Sequence, residues 1–115
     1  MNSNFALLNN SKKTIAFINK QLINYPKSEV VLKNNIEKDM YEIIELIFSY
    51  SISDIERIKL KYLKDLIIKL SMLDFYVATS FDKRIISKKK FESTAMYIVE
   101  IRKIAYGLVK NVSKC

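Results

Sequence analysis

Residues 62–81 read YLKDLIIKLSMLDFYVATSF, and their leucines recur at the spacing of one helix face. Leu63, Leu66, Leu70 and Leu73 stand three or four positions apart, which places them on one side of an α-helix. A strand would instead alternate apolar and polar residues one by one. This stretch therefore predicts a long helix with a continuous apolar side.

The predicted helix begins at a capping box. The Ser53 hydroxyl can accept the backbone N–H of Glu56, and the Glu56 side chain can reach back to Ser53. The apolar pattern then continues from Ile55 to Val77, so we expect Ile55 on the inner face and the helix end near Phe81.

Three further helices are predicted. Tyr25 ends the first, because a residue before proline avoids the helical conformation, and Pro26 opens the second. Ser87 is the expected N-cap of the last helix. The predicted helices cover residues 13–24, 27–50, 53–81 and 87–112.

The chain has 115 residues with one glycine and one proline, and half of its residues are hydrophobic. Such a scarcity of turn residues favours a few long helices over hairpins. We expect one all-α domain, an antiparallel up-down-up-down four-helix bundle that assembles into a homo-oligomeric ring. Its parts are an N-terminal arm at 1–12, the bundle at 13–112 and a tail at 113–115.

Charge is distributed unevenly along this chain of net charge +8. Lys88, Lys89 and Lys90 occupy the first turn of the last helix, where the helix dipole disfavours each exposed cation by ~0.3–1 kcal/mol. This placement suggests contacts with phosphates, and a solvated charge run is the alternative. The candidate nucleic-acid-binding residues are Lys83, Arg84, Lys88, Lys89, Lys90, Arg102, Lys103 and Lys110.

The last helix is apolar on more than one face, and so is the second. A small bundle cannot bury all these side chains, and exposed apolar patches usually mark an interface. Gly107 suggests a close approach of helices near Ala105; ordinary core packing is the alternative. The candidate oligomer-interface residues are Leu46, Phe48, Met96, Tyr97, Val99, Ile104, Tyr106 and Gly107.

Catalysis by this chain is not expected. It has no histidine, the commonest general base and metal ligand, and its single glycine excludes glycine-rich phosphate loops. Glu37, Asp39, Glu42 and Glu45 cluster on the second helix, and we interpret them as a solvated face rather than a metal site. We expect no metal and no cofactor.

The cysteine content and the lengths of the apolar runs predict a cytoplasmic protein. Cys115 is the only cysteine and cannot form an internal disulfide, which fits a reducing compartment. Neither a signal-peptide core nor an apolar run of membrane-spanning length is present, so no membrane association is expected.

The order of these motifs resembles the accessory variability determinant (Avd) proteins of diversity-generating retroelements. It is also similar to the related four-helix-bundle proteins encoded in ribosomal RNA intervening sequences. The likeness extends over about residues 15–110. It rests on YPKSE at 25–29, the leucine ladder, ISKKKF at 86–91 and EIRKIAYGLVK at 100–110.

The chain departs from the family pattern at several positions. Asp74 and Ala78 stand where the family often has arginines, Arg102 and Tyr106 where glycines are usual, and Leu108 where tryptophan is usual. The resemblance implies a five-fold homo-oligomeric ring, without catalytic activity, that binds a reverse transcriptase and its template RNA or an RNA/DNA hybrid. Such a ring supports mutagenic cDNA synthesis.

Two functions of different kinds follow. The first is a non-enzymatic accessory protein that oligomerises and binds a reverse transcriptase and its template RNA. The second is a protein–protein adaptor of a phage or defence locus that uses the same bundle without nucleic acid; Asp74 and Ala78 favour it. A third, an enzyme subunit built on the acids of the second helix, requires a bound metal.

Overall fold

Four helices and one short 3-10 turn make up the chain in the computed structural model, which describes residues 3–113. The helices are α1 (Ser3–Leu22), α2 (Val30–Ile52), α3 (Glu56–Asp82) and α4 (Lys88–Ser113), and the turn Lys27–Glu29 precedes α2. No strand occurs among the described residues, so the predicted all-α class with four helices is confirmed. Cys115, with positions 1, 2 and 114, lies outside the described residues.

Helix α1 begins at Ser3 and not near residue 13, so positions 3–12, expected as an arm, are its first half. Its buried side is continuous: Leu7, Ser11, Thr14, Ile18 and Leu22 recur every three or four residues and are all buried. Two of these five are polar. The apolar periodicity that predicts helices therefore stops short of the true start, although the helical spacing continues.

The helices pack in a closed order. Helix α2 contacts α3, α3 contacts α4, and α4 contacts α1, while α1 and α2 share the least extensive contact. Two ion pairs join the α2 and α3 segments: Glu29, in the turn before α2, meets Lys83, just after α3, at 3.0 Å, and Glu42 of α2 meets Lys69 of α3 at 3.2 Å. The result is an elongated bundle of 47 × 23 × 19 Å.

The core follows the predicted leucine ladder. Leu63, Leu66, Leu70 and Leu73 are at most 1% exposed and face apolar side chains from the other helices. Burying a leucine side chain contributes about 1.5–3 kcal/mol relative to leaving it in water. Each helix buries one side only. None of the helices between residues 3 and 113 is long and apolar enough to cross a membrane.

The predicted capping box at Ser53 does not form. Helix α2 continues to Ile52, so the Ser53 N–H donates to Ser49 O and Ser53 ends α2 instead of starting α3. Helix α3 begins only at Glu56, and the Ser53 hydroxyl accepts the Ile55 N–H at 3.4 Å. Ile55 precedes the helix and is half exposed, so its assignment to the inner face was wrong.

Candidate nucleic-acid interface

The last turns of α1 and α3 lie close to the first turns of α2 and α4 at one end of the bundle. Gln21 Nε2 donates to Thr94 Oγ1 at 2.9 Å between α1 and α4, and Tyr25 OH donates to Ser80 Oγ at 2.7 Å. The Tyr25–Ser80 contact joins the chain segments at 19–33 and 79–91, and the Gln21–Thr94 contact joins α1 to α4 beside them.

The two segments carry a large excess of positive charge. Their only acids are Glu29 and Asp82, whereas residues 3–6, 49–59 and 110–113 at the opposite end carry three basic and two acidic side chains. We call the basic residues of the two segments the basic end. They are Lys20, Lys27, Lys33, Lys83, Arg84, Lys88, Lys89 and Lys90.

The lysine run begins α4 as predicted. The Lys90 N–H donates to Ser87 Oγ at 3.2 Å, which confirms Ser87 as the N-cap, and α4 starts at the next residue. Phe91, one position later, stacks on Phe81 with ring centroids 4.7 Å apart. This packing fixes the helix start against α3 and leaves all three lysines of the run exposed.

Arg84 occupies a backbone conformation that usually belongs to glycine. Its φ is 61°, its N–H donates to Phe81 O, and the Ile85 N–H donates to Ser80 O, both at 2.9 Å. This pair of bonds is a Schellman motif, which satisfies carbonyls at the end of α3. A non-glycine residue in this conformation costs about 1 kcal/mol. The sequence has no glycine here, and so it contained no signal for this turn.

The side chains of the basic end differ in whether an acidic side chain already pairs with them. Lys83 Nζ lies 3.0 Å from Glu29 Oε1 and 3.3 Å from Oε2, so its charge is shared with that carboxylate. Arg84 and Lys88 to Lys90 are exposed and have no ion pair among the described residues. Lys20, Lys27 and Lys33 belong to the same end and were not predicted as site residues, because only the fold brings α1 and α2 beside them.

The remaining predicted cations lie elsewhere on α4. At 1.5 Å per residue, Lys103 and Lys110 are about 22 and 33 Å along the axis from Lys88. Arg102 Nη2 lies 3.1 Å from Asp74 Oδ2 in a half-buried ion pair, and Lys103 is 3.6 Å from Glu100. The fold thus brings five of the eight predicted residues together and separates the other three.

The acids of α2 do not form one solvated face. Asp39 is only 4% exposed, and its Oδ2 has no hydrogen-bond partner among residues 3–113. Burial raises the pKa of this carboxyl to about 7, although nearby Lys69 acts in the opposite direction. Glu42 pairs with Lys69, whereas Glu45 is exposed. Asp39 lies seven residues after Leu32 and four before Ile43, a spacing compatible with the inner side of α2, but spacing alone does not show that a carboxylate is buried. Between residues 3 and 113 no group of three acids or cysteines is arranged to hold a metal.

The predicted interface residues fall into two groups. Leu46 and Ile104 are half-buried and pack against the core, and the Tyr97 ring contacts Phe17 of α1 at 5.1 Å between centroids. Tyr97 is nevertheless 38% exposed. Apart from the neighbouring residues and backbone of its own helix, nothing lies within 4 Å of the position that a Cβ would take at Gly107, so the expected close helix approach does not occur among residues 3–113. The predicted residues that are exposed are Phe48, Met96, Tyr97, Val99, Tyr106 and Gly107.

A further apolar seam was not predicted. Ile68, Met72 and Phe75 follow each other at helical spacing on the outer side of α3, opposite the leucine ladder, and are exposed. Their spacing was visible in the sequence, but spacing does not say whether a second apolar side, opposite the leucine ladder, is covered by another helix.

Comparison with known proteins bears on the fold alone. No protein-family model matches the chain, and no curated protein sequence matches it. A crystal structure from Bacteroides thetaiotaomicron, of a protein with unknown function from the S23 ribosomal protein family, is similar with a TM-score of 0.85. The two chains are 13% identical, and the match covers 95% of this chain and 99% of that one. This likeness supports a four-helix-bundle fold for the chain.

Proposed function

We propose that this chain is a non-enzymatic accessory protein that forms a homo-oligomeric ring and binds a reverse transcriptase and its template RNA. In this proposal it is a cytoplasmic protein that supports retroelement cDNA synthesis, and the ring is five-fold. The observation that carries the nucleic-acid part is the basic end, where Arg84 and three lysines are exposed and unpaired among the described residues.

The lysine run has no structural role that would account for it. Ser87 alone caps α4, and the positive end of the helix dipole lies beside all three ammonium groups. A polyanion placed there would relieve the repulsion and release its own counterions. A phosphate backbone is such a polyanion, and exposed lysines bind it without reading base sequence.

The finer architecture has its own support. The two ion pairs Glu29–Lys83 and Glu42–Lys69 indicate opposite chain directions, since the residue number rises from 29 to 42 on one segment and falls from 83 to 69 on the other. This favours the antiparallel up-down-up-down bundle. The exposed Met96, Val99 and Tyr106 on α4 favour self-association. The five-fold ring and the reverse transcriptase rest on the resemblance to the Avd proteins.

The first experiment measures RNA binding by fluorescence anisotropy over a range of salt concentrations. Replacing Lys88, Lys89 and Lys90 together with alanine is expected to weaken binding and to reduce the slope of log K against log salt by about 2, at ~0.7 per lost contact with single-stranded RNA. Helix α4 should become slightly more stable, because three unfavourable dipole interactions are removed.

The matched control removes three exposed lysines outside the basic end: Lys12, Lys13 and Lys64. It has the same net charge as the first variant, so a general effect of charge would change both slopes equally. Equal slopes for the two variants, or an unchanged slope in the first, would contradict the assignment of the basic end.

The second candidate is a protein–protein adaptor that does not bind nucleic acid. The observation that favours it lies on α3, where Asp74 holds Arg102 and where Ile68, Met72 and Phe75 form an exposed apolar seam. Size-exclusion chromatography with absorbance at two wavelengths separates the candidates, since co-purifying nucleic acid supports the first and its absence from an oligomer the second. A neighbouring reverse transcriptase gene with a template repeat also favours the first.

A further inference from the structure

The outer side of α2 is acidic in a chain whose overall charge is +8. A shallow depression there is lined by Asn34, Glu37, Lys38, Tyr41, Glu42 and Glu45. Tyr41 is one of these lining residues and is 71% exposed. We call Glu37, Tyr41 and Glu45 the acidic face.

The carboxylates of the acidic face are available to a partner. Glu42, between them, is paired with Lys69 of α3 at 3.2 Å, so its charge is compensated within the fold. Glu37 and Glu45 have no ion-pair partner among residues 3–113. Two unpaired carboxylates beside an exposed aromatic ring are suited to a surface that is basic and partly apolar.

Helix α4 presents a surface of that kind. A depression on its outer side is lined by Val99, Arg102, Lys103, Tyr106, Gly107 and Lys110. Tyr106 is 50% exposed, Lys110 has no ion pair among the described residues, and Lys103 reaches only Glu100, at 3.6 Å. We call Lys103, Tyr106 and Lys110 the basic face of α4; it is separate from the basic end.

The two faces match in spacing as well as in charge. Glu37 and Glu45 are eight residues apart, about 12 Å along α2, and Lys103 and Lys110 are seven apart, about 10.5 Å along α4. Each pair has an exposed tyrosine between its members. We propose that the acidic face of one copy of this chain docks on the basic face of α4 of a second copy.

The proposed contact repeats. The two faces are different surfaces of the same chain, so a head-to-tail pair keeps one unused face of each kind, the basic face on one copy and the acidic face on the other. Further copies add in the same way until a ring closes. This inference rests on the oligomerisation in the proposed function and does not depend on nucleic-acid binding, since neither face includes the basic end.

Charge reversal tests the contact on the full chain after nuclease treatment, with mass measured by light scattering at low ionic strength. The wild type is expected to be an oligomer. The variant Glu37→Lys/Glu45→Lys and the variant Lys103→Glu/Lys110→Glu are each expected to fall to the 13.5 kDa monomer, because like charges then face each other. The chain carrying all four reversals is expected to regain the wild-type mass, because the charges are again opposite.

Two controls keep the result interpretable. Asp54→Lys/Glu56→Lys makes the same change in net charge as Glu37→Lys/Glu45→Lys, at exposed residues that belong to neither face, and is expected to leave the mass unchanged. Circular dichroism of each variant must show wild-type helicity, and recovery of the oligomer by the four-fold variant could not come from a misfolded chain.

Several outcomes would overturn the proposal: a monomeric wild type, either double reversal that keeps the oligomer, or a four-fold variant that remains folded but monomeric. Binding of a short RNA oligonucleotide is recorded on the same samples. A wild-type monomer that binds RNA through Lys88 to Lys90 would remove this interface and leave the nucleic-acid part of the proposed function in place.

Discussion

Two sets of basic side chains on α4 show how the fold assigns different roles to the same kind of residue. Arg102, in the middle of the helix, lies against α3 with its guanidinium 3.1 Å from Asp74. Lys88 to Lys90, at the start of the helix, are exposed and have no ion pair among residues 3–113. The first charge is compensated inside the molecule, and the other three are available to a partner. Charge in the sequence is therefore not a measure of binding until its partners in the fold are known.

Asp39 extends the comparison to a charge that is buried and poorly compensated, and it carries the largest expected effect. Its carboxyl has a pKa of about 7 in the folded state against an ordinary value of 3.8. Between these pH values the folded state binds more protons than the unfolded state, so stability falls as the pH rises from 4 to 7. Asp39→Asn removes the buried charge, and we expect it to raise the free energy of unfolding by about 2–3 kcal/mol at pH 8 and by little at pH 4.

Urea denaturation followed by circular dichroism at the two pH values measures this difference. The exposed carboxylate of Glu92 on α4 gives the control, and Glu92→Gln should change stability by less than about 0.5 kcal/mol at either pH. A wild type and an Asp39→Asn variant with the same pH dependence would show that Asp39 is ionised in the folded state without penalty.

Breaking the ion pair between Arg102 and Asp74 gives the next largest expected effect on stability. Asp74→Ala leaves the half-buried Arg102 guanidinium, whose Nε already has no hydrogen-bond partner in the described part of the chain, without its carboxylate. We expect a loss of about 1–2 kcal/mol of stability, less than for a fully buried pair because water still reaches both groups. The exposed pair of Lys61 and Asp65 is the control, and Lys61→Ala should lower stability much less than Asp74→Ala does.

RNA binding separates Arg102 from the lysine run. Arg102→Ala is expected to leave RNA affinity within about twofold of the wild type, because the guanidinium is already bonded to Asp74. An anisotropy titration in which Arg102→Ala lowers affinity as much as loss of Lys88 to Lys90 would show that both sets of charges contact RNA, and the distinction between them would be lost.

Arg84 carries a small expected effect and sharpens the comparison at one residue. Arg84→Gly removes a charge from the basic end and also relieves the backbone at φ 61°, so stability should rise by about 0.5–1 kcal/mol while the salt slope of RNA binding falls by ~0.7. Arg84→Ala removes the same charge but keeps the unfavourable conformation. Thermal unfolding should therefore show stabilisation for glycine only, and equal stability of the two variants would exclude backbone strain.

Local chemistry made some elements predictable. The spacing of the leucines in α3 is enough to predict which side of the helix is buried. Ser87 acts as the N-cap of α4 through a bond to Lys90, only three residues away. Ser53 has the same side chain but does not cap α3. Helix α2 continues to Ile52, and the Ser53 N–H donates to Ser49 O at the end of α2. How far a helix continues depends on what its last turn packs against, which a capping motif does not contain.

By itself, the sequence determined that the chain is helical, where α4 begins, and which side of α3 is the richest in leucine, because spacing and capping act within a few residues. Only the tertiary structure decided that Ser11, Thr14 and Asp39 are buried and that Arg102 is paired. It also decided that α1 and α2 bring Lys20, Lys27 and Lys33 to the basic end. These outcomes depend on residues far apart in the chain, and burial, pKa and ion pairing are set by the distances that packing creates.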